Sequence, residues 1–333
     1  GCLTERLQDV SKDATLTCFG QEFNPETYAI AKADMLIKGG NASGMKYGDT
    51  LSDDAFGGYE FDYVISNPPF GIDWKREKSQ VEAEAKRGYD GRFGPGLPAI
   101  SDGQMLFMLN GVKKLKEGSG RMAIIQNGSS LFTGDAGSGA SEIRRYLIHE
   151  DLVEAIVQLP TDLFYNTGIS TYIWVLTKGK PMSRSGRVQL IDASKCFVKR
   201  RKNIGSKRVD LDDACIDLIL KAYEGFDQNE VYTADDLVVE SKVFENDFFG
   251  FTKVTVETAQ TDANGKPLLK KGKKLPIKGA TDGEIIPLSD DIDAYMAKNV
   301  LPYNPLAYID PAKDKIGYEI PFTRLFYKFE APE

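Results

Sequence analysis

Apolar residues recur along this chain with two different periods. Short runs rich in β-branched and aromatic residues read as buried strands: Phe61-Asp62-Tyr63-Val64-Ile65, Arg121-Met122-Ala123-Ile124-Ile125, Leu152-Val153-Glu154-Ala155-Ile156-Val157 and Tyr172-Ile173-Trp174-Val175-Leu176. Between them, spacings of three and four predict helices. One carries Tyr28, Ala31, Met35 and Leu36 and stops at Gly39-Gly40; Asn24, Pro25 and Glu26 suit its start. Another follows a capping Asp102 with Met105, Leu106, Leu109, Val112 and Leu115, ending at Gly118, and a third spans residues 139–149. Strands alternating with helices predict an α/β architecture, a mostly parallel sheet covered on both faces. The runs at 152–159 and 172–176 have no helix between them and are expected as an antiparallel pair at one edge.

The remaining elements are less regular. Residues 15–22 read as a strand ending in the acid Glu22, 188–191 as a strand and 211–223 as a helix on the same sheet. Residues 71–101 lose periodicity and are rich in charge and glycine, which predicts a mobile flap on the substrate side. Beyond 225 the pattern is mixed: strand-like at 254–256, helical at 290–299, an exposed hairpin or flexible insert over about 259–283. The aromatic stretch 316–327 is expected to pack on the main body or on a partner.

Composition narrows the chemistry. With 333 residues, 41% hydrophobic and 27% charged, the chain is ordinary globular protein, and no apolar run approaches the roughly 20 residues that span a bilayer. Cys2, Cys18, Cys196 and Cys215 form no C-x-x-C pair and the single histidine is His149, so a zinc centre and histidine-assisted nucleophiles find no support. Unpaired cysteines suit a reducing cytoplasm. A net charge of −7 does not suit a protein that grips DNA alone, although Lys199-Arg200-Arg201-Lys202 with Lys207-Arg208, and Lys270-Lys271-Gly272-Lys273-Lys274, are basic clusters that fit solvated loops or a contact with DNA or a partner.

The chemistry concentrates at Ser66-Asn67-Pro68-Pro69-Phe70, where two prolines end a strand abruptly. An amide oxygen, the carbonyl of Pro68 and an aromatic face are thereby presented together at a strand's carboxyl end, the edge at which open α/β sheets bind ligands. An Asn-Pro-Pro-aromatic in this position resembles the catalytic motif of S-adenosylmethionine-dependent amino methyltransferases. In such an arrangement the Asn67 oxygen and the Pro68 carbonyl accept the two N–H bonds of an aryl amine. Its lone pair is then freed for the methyl carbon, with no strong base required. Phe70 stacks on the base, worth roughly 1–3 kcal/mol.

The resemblance is wider than one motif. Gly20-Gln21-Glu22-Phe23-Asn24-Pro25-Glu26-Thr27, Gly48-Asp49-Thr50-Leu51, the Asn67 motif, Gly103-Gln104-Met105-Leu106-Phe107, Phe164-Tyr165-Asn166-Thr167-Gly168-Ile169 and Tyr318-Glu319-Ile320-Pro321-Phe322-Thr323 occur in the order seen in the modification (M) subunit of type I restriction–modification systems. It implies a Rossmann-like methyltransferase sheet using S-adenosyl-L-methionine to methylate a flipped adenine in double-stranded DNA. Partners would be a second M subunit, a specificity (S) subunit and a restriction (R) subunit. By it, Asn67, Pro68, Pro69 and Phe70 form the catalytic loop. Glu22 binds the cofactor ribose, Asp49 and Thr50 its adenine, and Phe164 or Tyr165 adds a second aromatic near the flipped base. On the residues alone, Glu22 and Asp49 also fit turn capping.

The family's glycine-rich cofactor loop and first strand have no counterpart, and Gly1 looks like the loop's last glycine. The chain is accordingly expected to be a piece of a longer protein that binds cofactor poorly and is inactive alone; micromolar binding by calorimetry would contradict this. Its division is expected as a catalytic domain over 1–225, truncated at its start, and an extension over 226–333. An RNA or protein-glutamine methyltransferase, or a non-catalytic assembly module, are the rival readings.

Overall fold

The computed structural model describes residues 2–328, the side chains of residues 2 and 3 excepted, so the Gly1 expectation lies outside the described residues. Helix α1 (Cys2–Val10) leads to β1 (Gly20–Glu22), α2 (Pro25–Ile37) and β2 (Met45–Tyr47). Then follow β3 (Tyr63–Ser66), α3 (Lys78–Ala85), α4 (Gln104–Lys113), β4 (Arg121–Asn127), α5 (Ser129–Phe132), α6 (Gly139–His149), β5 (Val153–Gln158), β6 (Thr171–Thr177) and β7 (Arg187–Asp192). A hairpin, β8 (Val198–Ile204) and β9 (Lys207–Asp210), precedes α7 (Asp213–Gly225), β10 (Asn229–Ala234) and β11 (Leu237–Glu245). The rest comprises β12 (Gly250–Ala259), β13 (Leu269–Lys270), β14 (Lys273–Lys274), β15 (Pro276–Pro287), α8 (Ile292–Asn299), β16 (Ala307–Ile309), β17 (Lys315–Tyr318) and α9 (Phe322–Phe326).

The central sheet has the order β10-β11-β7-β5-β6-β4-β3. Its pairings make β3, β4, β5, β7 and β10 run one way and β6 and β11 the other, so the class is the α/β sheet expected. The strands at 152–159 and 172–176 are antiparallel as expected, but they lie in the middle of the sheet and not at an edge. An edge strand leaves a row of N–H and C=O groups unpaired, and β6, with Trp174 and Leu176 fully buried, finds partners on both sides in β4 and β5. The antiparallel edge pair is instead β10–β11, so the central sheet runs on past residue 225 and the division expected there does not fall between sheets.

Glu22 ends a strand as expected, but only three residues of 15–22 are in it. β1 pairs in parallel with β2 and not with the central sheet. Helix α2 is capped by Asn24, whose Oδ1 accepts from the N–H groups of Glu26 and Thr27. It buries none of its residues, because it packs on these two short strands and the turn at 42–44.

Residues 71–101, read as a mobile flap, are packed. They contain α3, and Trp74, Val81 and Phe93 belong to the main core with Leu106, Leu109, Ile124 and Trp174. At the other end, β12 pairs with β15, β16 and β17 in a second sheet, from which β13 and β14 project as an exposed hairpin. The aromatic stretch near the end packs on the main body. Buried Arg144 donates to the carbonyls of Tyr318, Ser130 and Thr133, the Tyr318 N–H donates to Ser141, and Phe322 packs edge-on to Tyr172.

Candidate active site

The carboxyl ends of β3, β4, β5 and β7 share one edge of the sheet, and Asn67, Gln104 and Tyr165 lie at or just beyond it, whereas Glu22 and Asp49 lie on the separate β1–β2 pair. The loop Asn67 to Phe70 leaves β3 with Pro68 buried, Phe70 half-buried and Asn67 and Pro69 exposed. Pro68 anchors the turn while the Asn67 amide faces solvent. Among the described residues the Asn67 side chain and the Pro68 carbonyl have no hydrogen-bond partner, so two acceptors stand free at the strand end.

The loop is held from behind. The Gly103 N–H donates to Ile72 O (3.0 Å), the Trp74 N–H to Ile100 O (3.0 Å) and the Trp74 indole to Ala99 O (3.1 Å). Beside them, Gln104 is 1% exposed and its amide reaches Asp102, Asn127 and Ser129 at 2.6–2.8 Å, while the Ser129 hydroxyl donates to Asp102. This closed polar network ties the start of α4 to the end of β4 beside the Asn67 loop. Gly111 lets the same helix approach the sheet: a Cβ there would meet Met122 Cε at 2.4 Å and Val64 at 3.3 Å.

Parallel pairing of β1 with β2 sets Glu22 opposite Tyr47, and the Gly48 N–H donates to Glu22 O (3.1 Å), so Glu22, Asp49 and Thr50 come together. Each acid spends one oxygen locally: Glu22 Oε1 accepts from the Asn24 N–H at 2.7 Å and Asp49 Oδ1 from the Leu51 N–H at 2.8 Å. Turn capping and ligand binding are therefore compatible at half-buried Glu22, which keeps its other oxygen, while the Asp49 carboxylate also meets Glu77. Two neighbouring acceptors at adjacent strand tips suit ribose hydroxyls and an exocyclic amine, which is the donor set an adenosyl group offers.

Arg92 was not legible as part of this site. Its guanidinium, 8% exposed, donates to Thr50 O (2.6 Å), Leu51 O (3.1 Å), Asn110 Oδ1 (3.0 Å) and Glu84 Oε2 (2.7 Å). Lys114 adds an ion pair to Asp54 at 2.8 Å. Burial pushes the Glu84 carboxyl up, but hydrogen bonds from the Arg92 side chain and backbone outweigh it and hold it below its ordinary value. The Glu77 carboxyl, facing Asp49, is pushed above its ordinary value by burial and then by Asp49. No sequence motif marks Arg92 or Glu77; both lie in the stretch without periodicity.

Phe164 and Tyr165 follow β5 at the same edge but fare differently. Phe164 packs against the core of Val157, Ile191 and Cys215, whereas Tyr165 is 60% exposed. Their strand lies three positions from β3, roughly 14 Å at ordinary strand spacing. Tyr165 is the available aromatic of the two. A cavity of about 440 Å³ lined by Arg92, Lys113, Tyr146, Lys178 and Lys180 lies at the opposite edge, before β5 and after β6. Among the described residues no cluster of Cys, His, Asp and Glu could hold a metal ion, and no helix is long and apolar enough to cross a membrane. His149 is exposed at the end of α6.

Known proteins resemble this chain in sequence and fold. The chain is 27% identical over 270 residues to the type I restriction enzyme MjaIX methylase subunit of Methanocaldococcus jannaschii, covering 80% of this chain and 44% of that protein. It is 28% identical over 290 residues to the HindI methylase subunit of Haemophilus influenzae, covering 86% and 61%. The crystal structure of a type I restriction–modification methyltransferase subunit from Streptococcus thermophilus superposes with a TM-score of 0.60 at 27% identity, over 73% of this chain and 48% of that one. The chain thus spans less than two thirds of each of these relatives. The family model for N-6 DNA methylases matches residues 3–264, most of the chain, and the chain belongs to that family.

Proposed function

We propose that this chain is the catalytic part of an S-adenosyl-L-methionine-dependent methyltransferase that modifies the N6 of an adenine in double-stranded DNA. It would work in the cytoplasm with a second modification subunit, a specificity subunit and, for cleavage, a restriction subunit. One observation carries the reading: among the described residues the Asn67 amide and the Pro68 carbonyl stand unpartnered at the end of β3, on the sheet edge from which the loop of Tyr165 also leaves. The family membership and the type I relatives support it.

Glu22 would hold the ribose and Asp49 and Thr50 the adenine ring of the cofactor. When bound, the cofactor supplies an electrophilic methyl on a sulfonium. The chain's own part is positioning. Adenine N6 donates one N–H to Asn67 Oδ1 and the other to the Pro68 carbonyl, which directs the lone pair out of the ring plane. Phe70, and Tyr165 from the loop after β5, cover the faces of a base taken out of the duplex at a cost of a few kcal/mol. The proton lost from nitrogen after transfer passes to water at this exposed rim, so no histidine or cysteine is needed.

The test is methyl incorporation into duplex DNA by the chain assembled with its partner subunits. Asn67→Ala is expected to lower the rate by about 10²–10³ with unchanged melting, as for loss of one preorganised hydrogen-bonding group. Undiminished incorporation by the variant, or methyl appearing on RNA guanine or protein glutamine instead, would overturn the proposal.

A further inference from the structure

The basic hairpin β8–β9 leaves the carboxyl end of β7, the edge that carries Asn67 and Tyr165. Residues 198–210 hold six cations and one acid in a chain whose net charge is −7. That acid, Asp210, pairs with Arg200 and Lys207. Lys199, Arg201, Lys202 and Arg208 are exposed and, among the described residues, have no ion-pair partner. Four cations without an ion-pair partner on one short hairpin repel each other.

The hairpin is also bolted in place. Its turn residue Ser206 donates its N–H to Tyr165 O at 2.8 Å, the Arg208 N–H reaches Asp162 O at 2.8 Å, and Lys207 Nζ lies 5.2 Å from the Tyr165 ring centroid. Gly205 adopts φ 58°, and a Cβ there would stand 2.4 Å from Tyr165 O, so the close approach needs glycine. The cations are thus held at a fixed place beside an exposed aromatic.

We propose that β8–β9 is a phosphate-contacting arm that grips the backbone of duplex DNA on the flank of the flipped base, its free cations Lys199, Arg201, Lys202 and Arg208 each meeting a phosphate. The proposal rests on reading the Asn67 edge as the DNA side. An acidic protein is the other polyanion such a surface fits. Lysine is depleted at protein interfaces, and a cation cluster fixed at the methyl-acceptor edge serves the substrate directly, so DNA is favoured.

The test is fluorescence anisotropy of a labelled mixed-sequence duplex titrated with this chain over a range of salt. Neutralising each phosphate contact removes about 0.9 from the slope of log K against log salt. The variant Lys199→Gln, Arg201→Gln, Lys202→Gln, Arg208→Gln is therefore expected to show a slope shallower by about 3–4 and affinity at least roughly tenfold weaker at low salt. Its melting temperature should not change, because these side chains are exposed. Exchanging lysine for arginine and arginine for lysine at the same four positions should preserve the slope. Four lysine-to-glutamine changes at Lys270, Lys271, Lys273 and Lys274 serve as a charge-matched control.

An unchanged slope in the hairpin variant, an equal loss in the control, no measurable binding by the wild type, or loss of an acidic protein partner with DNA affinity intact would each overturn the proposal. Methyl incorporation, run in parallel on the assembled enzyme, separates the two readings. Adenine methylated by an enzyme whose hairpin variant keeps its salt slope leaves the site and removes the arm. A shallower slope with no methyl transfer to any DNA from an assembled enzyme that binds S-adenosyl-L-methionine leaves the arm and removes the site.

Discussion

Replacing Arg92 with methionine tests the idea that a buried cation fixes the Thr50–Leu51 loop. The substitution keeps most of the side-chain volume and removes the guanidinium from between Glu84, Asn110 and the carbonyls of Thr50 and Leu51. Both members of the ion pair are largely buried, 8% exposed for Arg92 and 13% for Glu84. Removing Arg92 leaves the Glu84 carboxylate with only the exposed Arg87 guanidinium at 3.3 Å, and breaking such a buried pair costs about 3–5 kcal/mol. With about 2.1 cal/mol/K of unfolding entropy per residue over 333 residues, that corresponds to a fall in Tm of roughly 4–7 °C. Thermal melts followed by circular dichroism read this directly.

A double variant with Glu84→Gln should recover part of the loss, because the stranded carboxylate is then neutral. The sign with pH follows from the depressed Glu84 carboxyl. Its stabilising effect is present above the ordinary value of 4.5 and is lost as pH falls through the lower folded-state value, so the gap between parent and Arg92→Met narrows in acid. A single variant that melts within about 1 °C of the parent at pH 7 would refute the reasoning, since it would show the pair to be worth no more than an exposed one.

Three further outcomes are expected. Arg144 is fully buried and desolvation lowers its pKa to about 10; Arg144→Met leaves the carbonyls of Tyr318, Ser130 and Thr133 short of a donor, costing on the order of 3 kcal/mol and opening the segment near 316–327 to limited proteolysis, and an unchanged digestion pattern would contradict it. Burial pushes the Cys196 thiol up to about 12 and raises that of Cys215, so iodoacetamide at mildly alkaline pH should label exposed Cys18 and spare both, whereas rapid labelling of Cys196 in the folded chain would be inconsistent with its packing. The Glu77 carboxyl is raised, so its favourable contribution is present below 4.5 and is lost as pH rises through the folded value; Glu77→Gln should melt higher than the parent at neutral pH and equal to it in acid, and a lower melt at pH 7 would count against the Asp49–Glu77 contact.

Local information in the sequence was enough to place most strands and helices of the central sheet. Apolar runs with abrupt Pro or Gly endings specify where β3, β4, β5 and β6 begin and end, and Asn24-Pro25 specifies the start of α2, because these signals act within a few residues. The same locality made Asn67, Glu22 and Asp49 visible, since each sits where a strand stops. Strand order was not legible. Whether β6 lies at an edge or between β4 and β5 depends on which neighbours satisfy its backbone, and those neighbours lie tens of residues away in sequence.

The stretch 71–101 shows the limit most clearly. Its charge and glycine content gave it the look of a loose flap, yet Val81 and Phe93 insert into the core and Arg92 finds carbonyls about 40 residues upstream. A buried charge is stable only where distant groups converge on it, and convergence has no periodic signature. By itself, then, the sequence determined the α/β class and the abrupt Asn67–Phe70 turn at the end of β3, both products of short-range pattern. The tertiary structure alone decided that Arg92 braces the Thr50 loop, that Phe164 turns inward while Tyr165 stays exposed, and that the basic hairpin is fixed beside it, because each depends on contacts that only the folded chain brings together.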